Sequence, residues 1–178
     1  MRVTVFGGSQ PKPGDQAYQN AYKLGCLLGD AKHDVVTGGY IGTMEAVSRG
    51  AAENGGRVIG VTCNEIEAYR PVEPNRWVLE ERRFTTLRER IFALMDGCDA
   101  ALALPGGPGT LTEIAITWNH LLIGAIAPRP LILIGTGWQE TIGGFFRSFD
   151  EYIPEAQRRW LTFAPDVENA VELLKTKL

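Results

Sequence analysis

The sequence predicts an α/β fold: a doubly wound, mainly parallel sheet with helices on both faces. Three observations carry this. Short apolar runs of strand length alternate along the chain with longer segments of helical period. Glycine-rich turns stand at the carboxyl ends of several runs, as in Gly7-Gly8-Ser9, Gly38-Gly39-Tyr40-Ile41-Gly42 and Gly106-Gly107-Pro108-Gly109. The 178 residues fit one domain, 1–178, and a chain of that size buries roughly 70% of its unfolded surface without staples.

Arg2 to Phe6, rich in β-branched residues, is the first predicted strand. Gly7-Gly8-Ser9 and a Pro/Gly loop to Gly14 follow, where open α/β sheets hold ligands. Ser9 suits a turn and a ligand contact equally. Asp15 to Ala31 is an amphipathic helix with Ala17, Ala21, Leu24, Leu27 and Leu28 on one side. His33 reads as an exposed turn residue before the second strand, Asp34 to Thr37. The second glycine turn leads to a helix from Met44 to Glu53, ended by Gly55-Gly56. Glu45 in its first turn reads as a carboxylate favoured by the helix dipole. Arg57 to Thr62 is the third strand, and two successive strand–turn–helix units are the pattern of a doubly wound sheet.

Cys63 to Asn75 is polar, contains proline, and reads as a mobile loop over the site. Trp77 to Glu80 is a short predicted strand. Thr86 and Glu89 form an S/T-x-x-E capping box that opens a helix from Leu87 to Met95. Arg83, Arg88 and Arg90 cluster at its start. A solvated charged face and a clamp for phosphate oxygens both account for them.

Asp99 to His120 is the centre of the chain. Ala100 to Leu104 is a buried strand ended by Pro105. Gly106, Gly107 and Gly109 let the backbone turn sharply and let a ligand approach its N–H groups. A helix from Thr110 to Leu122 then offers a free N-terminus, a ready phosphate site. Neither G-x-G-x-x-G nor G-x-x-x-x-G-K-[ST] occurs. Thr110-Leu111-Thr112-Glu113 is a second S/T-x-x-E box. Glu113 either folds back onto the helix cap or points into the site and does chemistry. Leu131 to Ile134 is the next strand, Trp138 to Phe149 a helix, and Tyr152 to Arg159 an irregular segment. Trp160 to Phe163 adds a short strand and Pro165 to Lys177 a closing helix. His120, two turns beyond Glu113, is placed for the site or for a subunit contact. The apolar stretch Trp118 to Ile126 is the expected homodimer interface.

Composition excludes several classes. A net charge of −3 with no basic block leaves nucleic acid without an electrostatic footprint. Cys26, Cys63 and Cys98 lie far apart with no C-x-x-C, which fits a reducing cytoplasm rather than disulfides or zinc. With two histidines, no metal site is expected. The opening runs straight into a strand pattern and no apolar run is long enough to span a bilayer. Neither a signal peptide nor a membrane partner is therefore expected.

Pro105-Gly106-Gly107-Pro108-Gly109-Thr110-Leu111-Thr112-Glu113 matches a P-G-G-x-G-T-x-x-E signature. By it the chain resembles the LOG-type family, the cytokinin riboside 5′-monophosphate phosphoribohydrolases, older descriptions of which read possible lysine decarboxylase. The likeness extends through Gly7-Gly8-Ser9, through the glycine turn to Met44, and through Leu87-Arg88-Glu89-Arg90, which resembles an M-x-x-R-K element. The resemblance implies a Rossmann-like three-layer sandwich, a homodimer, and Arg90 and Glu113 as the catalytic pair. It also implies substrate and phosphate contacts from Gly8, Ser9, Gly38, Gly39, Gly42, Gly106, Gly107, Gly109 and Thr110. Three positions depart from the family pattern. Ile91 replaces the lysine, Leu87 the methionine, and Glu45 a glycine, the last as in a sister branch that includes molybdenum-cofactor carriers.

The expected function is hydrolysis of the N-glycosidic bond of a nucleoside 5′-monophosphate, AMP or a cytokinin-riboside monophosphate, with no cofactor and no metal. A carboxylate beside an oxocarbenium-like sugar stabilises it and activates water. The alternative is a non-catalytic carrier of a nucleotide or phosphorylated cofactor such as molybdenum cofactor. Decarboxylation through pyridoxal requires a Schiff-base lysine, and none of Lys12, Lys23, Lys32, Lys175 and Lys177 lies in the central motifs.

Overall fold

The computed structural model describes residues 1–176. Seven strands form the sheet: β1 (Arg2–Phe6), β2 (Asp34–Thr37), β3 (Val58–Cys63), β4 (Glu80–Phe84), β5 (Ala100–Ala103), β6 (Leu131–Ile134) and β7 (Leu161–Ala164). Their order is β4-β3-β2-β1-β5-β6-β7, and every pairing is parallel. The chain winds outward from β1 through β2, β3 and β4. It then crosses back to β5 on the other side and winds outward again. Next to β1 the order reverses, so the connections leaving β1 and β5 diverge and open a crevice at their carboxyl ends.

Strand periodicity divides the apolar side chains between two cores. Val3, Val5, Leu102, Leu104, Ile132 and Ile134 pack on α1 (Gln16–Asp30), α2 (Thr43–Glu53) and α8 (Val167–Thr176). Phe6, Val36, Ala101, Ala103, Leu131 and Leu133 pack on α4 (Leu87–Asp96), α5 (Pro108–Leu122) and α6 (Thr136–Ser148). The result is three layers with the sheet in the middle. Leu24, Leu28 and Leu174 are fully buried, and each such side chain contributes about 1.5–3 kcal/mol.

Helices α1 and α2 touch backbone to backbone. A Cβ on Gly25 would stand 2.9 Å from Ala51 N, and one on Gly50 2.8 Å from Cys26 N and closer still to Tyr22 O. Residues of any larger size at these positions would force the two helices apart.

The structure corrects four local expectations. Cys63 to Asn75 is not a plain loop: α3 (Asn64–Tyr69) forms within it. The fourth strand starts at Glu80, where Trp77 to Glu80 was expected, and reads Glu-Glu-Arg-Arg-Phe. It is a sheet edge, and charged residues there keep it from pairing with another chain. A short helix, α7 (Glu155–Arg158), interrupts the segment expected to be irregular. The stretch from Trp118 to Ile126 is only partly exposed. Trp118 packs edge-on against Phe146 at 5.8 Å and donates from Nε1 to Gln157 O at 2.9 Å, and Leu121 is buried. Of the expected closing helix, Lys177 lies outside the described residues. No helix among the described residues is long and apolar enough to cross a membrane.

Candidate active site

Arg90 reaches the crevice from α4. That helix opens on a formed capping box: Glu89 N donates to Thr86 Oγ1 at 3.2 Å, and Thr86 N donates to Glu89 Oε2 at 2.9 Å. The box fixes the first turn, and the next residue, Arg90, points inward with 5% exposure. Its Nε donates to Val61 O at 2.8 Å and its Nη2 to Gly38 O at 3.2 Å. The guanidinium carbon lies 5.7 Å from the centre of the Tyr40 ring, within cation–π range. These partners leave Nη1 facing Glu113 Oε1 at 3.8 Å.

The two S/T-x-x-E boxes behave differently. Gly107 is the N-cap of α5 and Pro108 occupies its first turn, so Thr110 and Glu113 lie inside the helix and Thr110 makes no capping bond. Glu113 is therefore not a capping residue. Its carboxyl is turned to the crevice, with the side chain 11% exposed. Burial raises its pKa from 4.5 to about 7, the positive charge of Arg90 opposing that rise.

The two side chains share a cavity of about 290 Å³ whose lining includes Gly8, Ser9, Gly107, Gly109 and Thr110. The first turn of α5 bonds only from Leu111 N, to Gly107 O at 3.0 Å. The N–H groups of Gly107, Gly109 and Thr110 have no intrahelical acceptor, and Pro108 has no N–H to offer.

The remaining predicted glycines stand behind this wall. Gly38 accepts from Arg90 and leaves no room for a Cβ, which would lie 2.5 Å from Met44 Sδ. Gly39 O accepts from Asn75 N at 2.8 Å. Gly42 has φ 78°, and a Cβ there would lie 2.5 Å from Gly8 O and 2.6 Å from Ser9 Cα. Thr43 N, just after it, donates to Gly8 O at 2.9 Å. Gly106 sits against Thr110. These four act through the backbone they allow to pack rather than as lining.

Of the arginine cluster, Arg90 alone lines the cavity among the described residues. Arg83 pairs with Glu67 and donates to Asn64 Oδ1 at 2.7 Å, which ties α3 down, and Arg88 is exposed. His120 packs on Phe92 with ring centres 5.5 Å apart and planes tilted by 41°, an α4–α5 contact. Tyr40, Ile66 and Arg70 also line the cavity. Tyr40 lies inside the second glycine turn, and Ile66 and Arg70 within Cys63 to Asn75, the stretch expected over the site, but no motif singles out these three side chains.

A second hollow, about 360 Å³, lies at the amino ends of β5, β6 and β7, lined by Asp99, Arg129 and Trp160 among others. Its Arg129 is engaged with the carbonyls of Met95 and Cys98, so it serves the end of α4.

The model of the SLOG cluster4 family matches residues 1–131. A cytokinin riboside 5′-monophosphate phosphoribohydrolase of Rhodococcoides fascians is 27% identical over 98% of this chain and 89% of its own length. A probable enzyme of the same description from Oryza sativa subsp. japonica is 32% identical over 98% of this chain and 77% of its own. Among solved structures, the molybdenum cofactor binding protein of Rippkaea orientalis superposes with a TM-score of 0.75 at 25% identity, covering 98% of this chain and 95% of that one. The molybdenum cofactor carrier protein of Chlamydomonas reinhardtii shares the fold, with a TM-score of 0.73 at 24% identity over 99% of this chain and 98% of its own. With residues 1–131 matched by the family model, and the P-G-G-x-G-T-x-x-E signature at the mouth of the cavity, this chain belongs to the SLOG cluster4 family, among the LOG-type proteins.

Proposed function

We propose that the protein hydrolyses the N-glycosidic bond of a nucleoside 5′-monophosphate, AMP or a cytokinin-riboside monophosphate, to free base and ribose 5-phosphate. The observation that carries this is Glu113. It is a buried carboxyl with a pKa of about 7, released from any capping duty and held beside Arg90. The unpaired N–H groups of Gly107, Gly109 and Thr110 suit a 5′-phosphate, since a helix N-terminus favours anions. Binding energy from the phosphate, remote from the bond that breaks, positions the sugar.

In this reading water attacks C1′ as the C1′–N bond breaks. The bond's electron pair leaves with the base, and the proton that water loses ends on the base. Glu113 in its ionised form stabilises the cationic sugar, takes up the water's proton and passes it to the departing base. A carboxyl with pKa near the operating pH is matched to that task. Arg90, locked by two main-chain carbonyls, keeps the carboxylate in place and offers Nη1 to a ribose or phosphate oxygen.

A second reading has support from the molybdenum cofactor binding protein of Rippkaea orientalis, which is alike along almost the whole chain. The same cavity would then carry a phosphorylated cofactor without turning it over. A carrier has no use for a buried acid facing an arginine. The deciding experiment is incubation with AMP, chromatography for adenine, and the same assay on Glu113→Gln. Adenine from the parent and none from the variant supports hydrolysis; none from either supports the carrier.

The proposed working form is a homodimer, with exposed Ile123, Phe145 and Phe149 as its apolar contact residues.

A further inference from the structure

Helix α3 delivers a cation to the cavity that the hydrolytic chemistry leaves unused. Arg70 follows the last residue of α3 and lines the cavity beside Ser9, Gln10 and Ile66. Its Nη1 donates to Ser9 Oγ at 3.1 Å. Its Nε is sealed from solvent and has no acceptor. Among the described residues no carboxylate stands within 4.0 Å of its guanidinium. Of the other arginines without a carboxylate partner, Arg76, Arg88, Arg147 and Arg159 are exposed to water, and Arg2 and Arg129 donate to main-chain carbonyls instead. A guanidinium drawn partly out of water with no counter-charge is the setting in which an anion binds best, because charge-assisted hydrogen bonds strengthen where solvent is excluded.

The placement is held from both sides. Ahead of Arg70, Glu65 Oε2 accepts from Leu87 N at 2.6 Å. Glu67 pairs with Arg83 and accepts from the Tyr40 hydroxyl at 3.2 Å. Beyond Arg70, Asn75 Nδ2 donates to Gly39 O at 3.0 Å and to Tyr40 O at 2.9 Å. The segment carrying Arg70 is thus fastened to α4, β4 and the turn after β2. The guanidinium waits in the cavity with little left to order on binding.

We infer that Arg70, with Ser9, binds the phosphate of the ligand and selects a nucleoside monophosphate over the unphosphorylated nucleoside. The inference rests on the nucleotide reading above and names the group within that ligand that Arg70 recognises. Arg70 is a binding residue here, apart from the chemistry at C1′.

The test separates binding from turnover. In a Glu113→Gln background, which removes the proposed base, the protein is titrated calorimetrically with AMP and with adenosine, with Arg70 intact and as Arg70→Ala or Arg70→Lys. Loss of one charged hydrogen-bonding partner predicts AMP binding weaker by about tenfold to a hundredfold in Arg70→Ala. Adenosine binding is expected to be unchanged, and Arg70→Lys to recover part of the loss. AMP affinity unchanged in Arg70→Ala overturns the inference, and so does an equal loss for AMP and adenosine, which marks a packing role. If Arg70→Ala does not melt cooperatively, Arg70→Gln carries the same comparison. Turnover by the parent is read separately. AMP bound through Arg70 with no adenine released overturns the hydrolysis and leaves this inference standing. AMP hydrolysed, with affinity indifferent to Arg70, does the reverse.

Discussion

Arg90 Nη1 lies 3.8 Å from Glu113 Oε1, close enough for attraction and too far for a hydrogen bond. Arg90 cannot swing nearer, because Nε and Nη2 are held by Val61 O and Gly38 O. The carboxylate therefore keeps its lone pairs for a water or a sugar. At an effective dielectric of about 20 the attraction across that gap is roughly 4 kcal/mol. Desolvating a buried carboxylate costs several kcal/mol. The raised pKa says that desolvation wins.

Glu113→Gln keeps the shape of the side chain and removes its basicity. General acid–base groups contribute about 10²–10⁴ in rate, and kcat for AMP is expected to fall by that factor. Folding is expected to be retained, since Thr110 and Glu113 form no cap that Gln would have to replace. Adenine release and thermal melting, measured on the same preparation, check the pair of outcomes. Unchanged kcat would sink the hydrolytic role.

Activity and stability are expected to respond to pH in opposite directions. Hydrolysis needs ionised Glu113, so kcat/KM rises with pH through a midpoint near 7. The folded pKa is above the unfolded value of 4.5, so the folded state holds the extra proton between 4.5 and about 7. Stability from this group is complete below 4.5 and is lost as pH rises through about 7. The loss is on the order of 3 kcal/mol. Urea midpoints across that range should drop for the parent and stay flatter for Glu113→Gln.

Arg90→Lys preserves charge and loses geometry. A single ammonium cannot reach Val61 O, Gly38 O and the face toward Glu113 together. One buried carbonyl is left without its donor, which costs about 1–3 kcal/mol. The charge opposing desolvation of Glu113 also moves away, so the midpoint of the kcat/KM profile is expected to shift upward. A pH profile identical to the parent's would show that Arg90 does not tune the acid.

Much of this was legible in the chain, and the misses have physical causes. Buried strands such as Leu131–Ile134 announce themselves because both faces are apolar. The edge strand Glu80–Phe84 is charged where solvent meets it, so apolar patterning points to Trp77 to Glu80 instead. Helix α3 has no apolar stripe to betray it. Distant partners hold it, Leu87 N on Glu65 and Arg83 on Glu67, and local patterning carries no trace of them. The fate of Glu113 was written locally. Thr86 and Thr110 open the same four-letter box, but Pro108 starts α5 two residues early and puts Thr110 inside the helix. Arg70 had no such marker, because its role depends on where the β3 connection folds.

Two glycine-to-alanine exchanges are expected to move stability in opposite directions without touching the site. Gly50 lies on α2 against the backbone of α1, where an added methyl meets Cys26 N at 2.8 Å and the Tyr22 carbonyl more closely. Backbone cannot yield as a side chain does, so Gly50→Ala is expected to cost about 1–3 kcal/mol. Gly137 lies in the first turn of α6 with nothing within 4 Å of an added Cβ and no positive φ. Gly137→Ala is expected to gain about 0.4–1 kcal/mol by reducing the freedom of the unfolded chain. Urea midpoints of the two variants against the parent read both effects. Gly50→Ala as stable as the parent would show that α1 and α2 are not packed backbone to backbone.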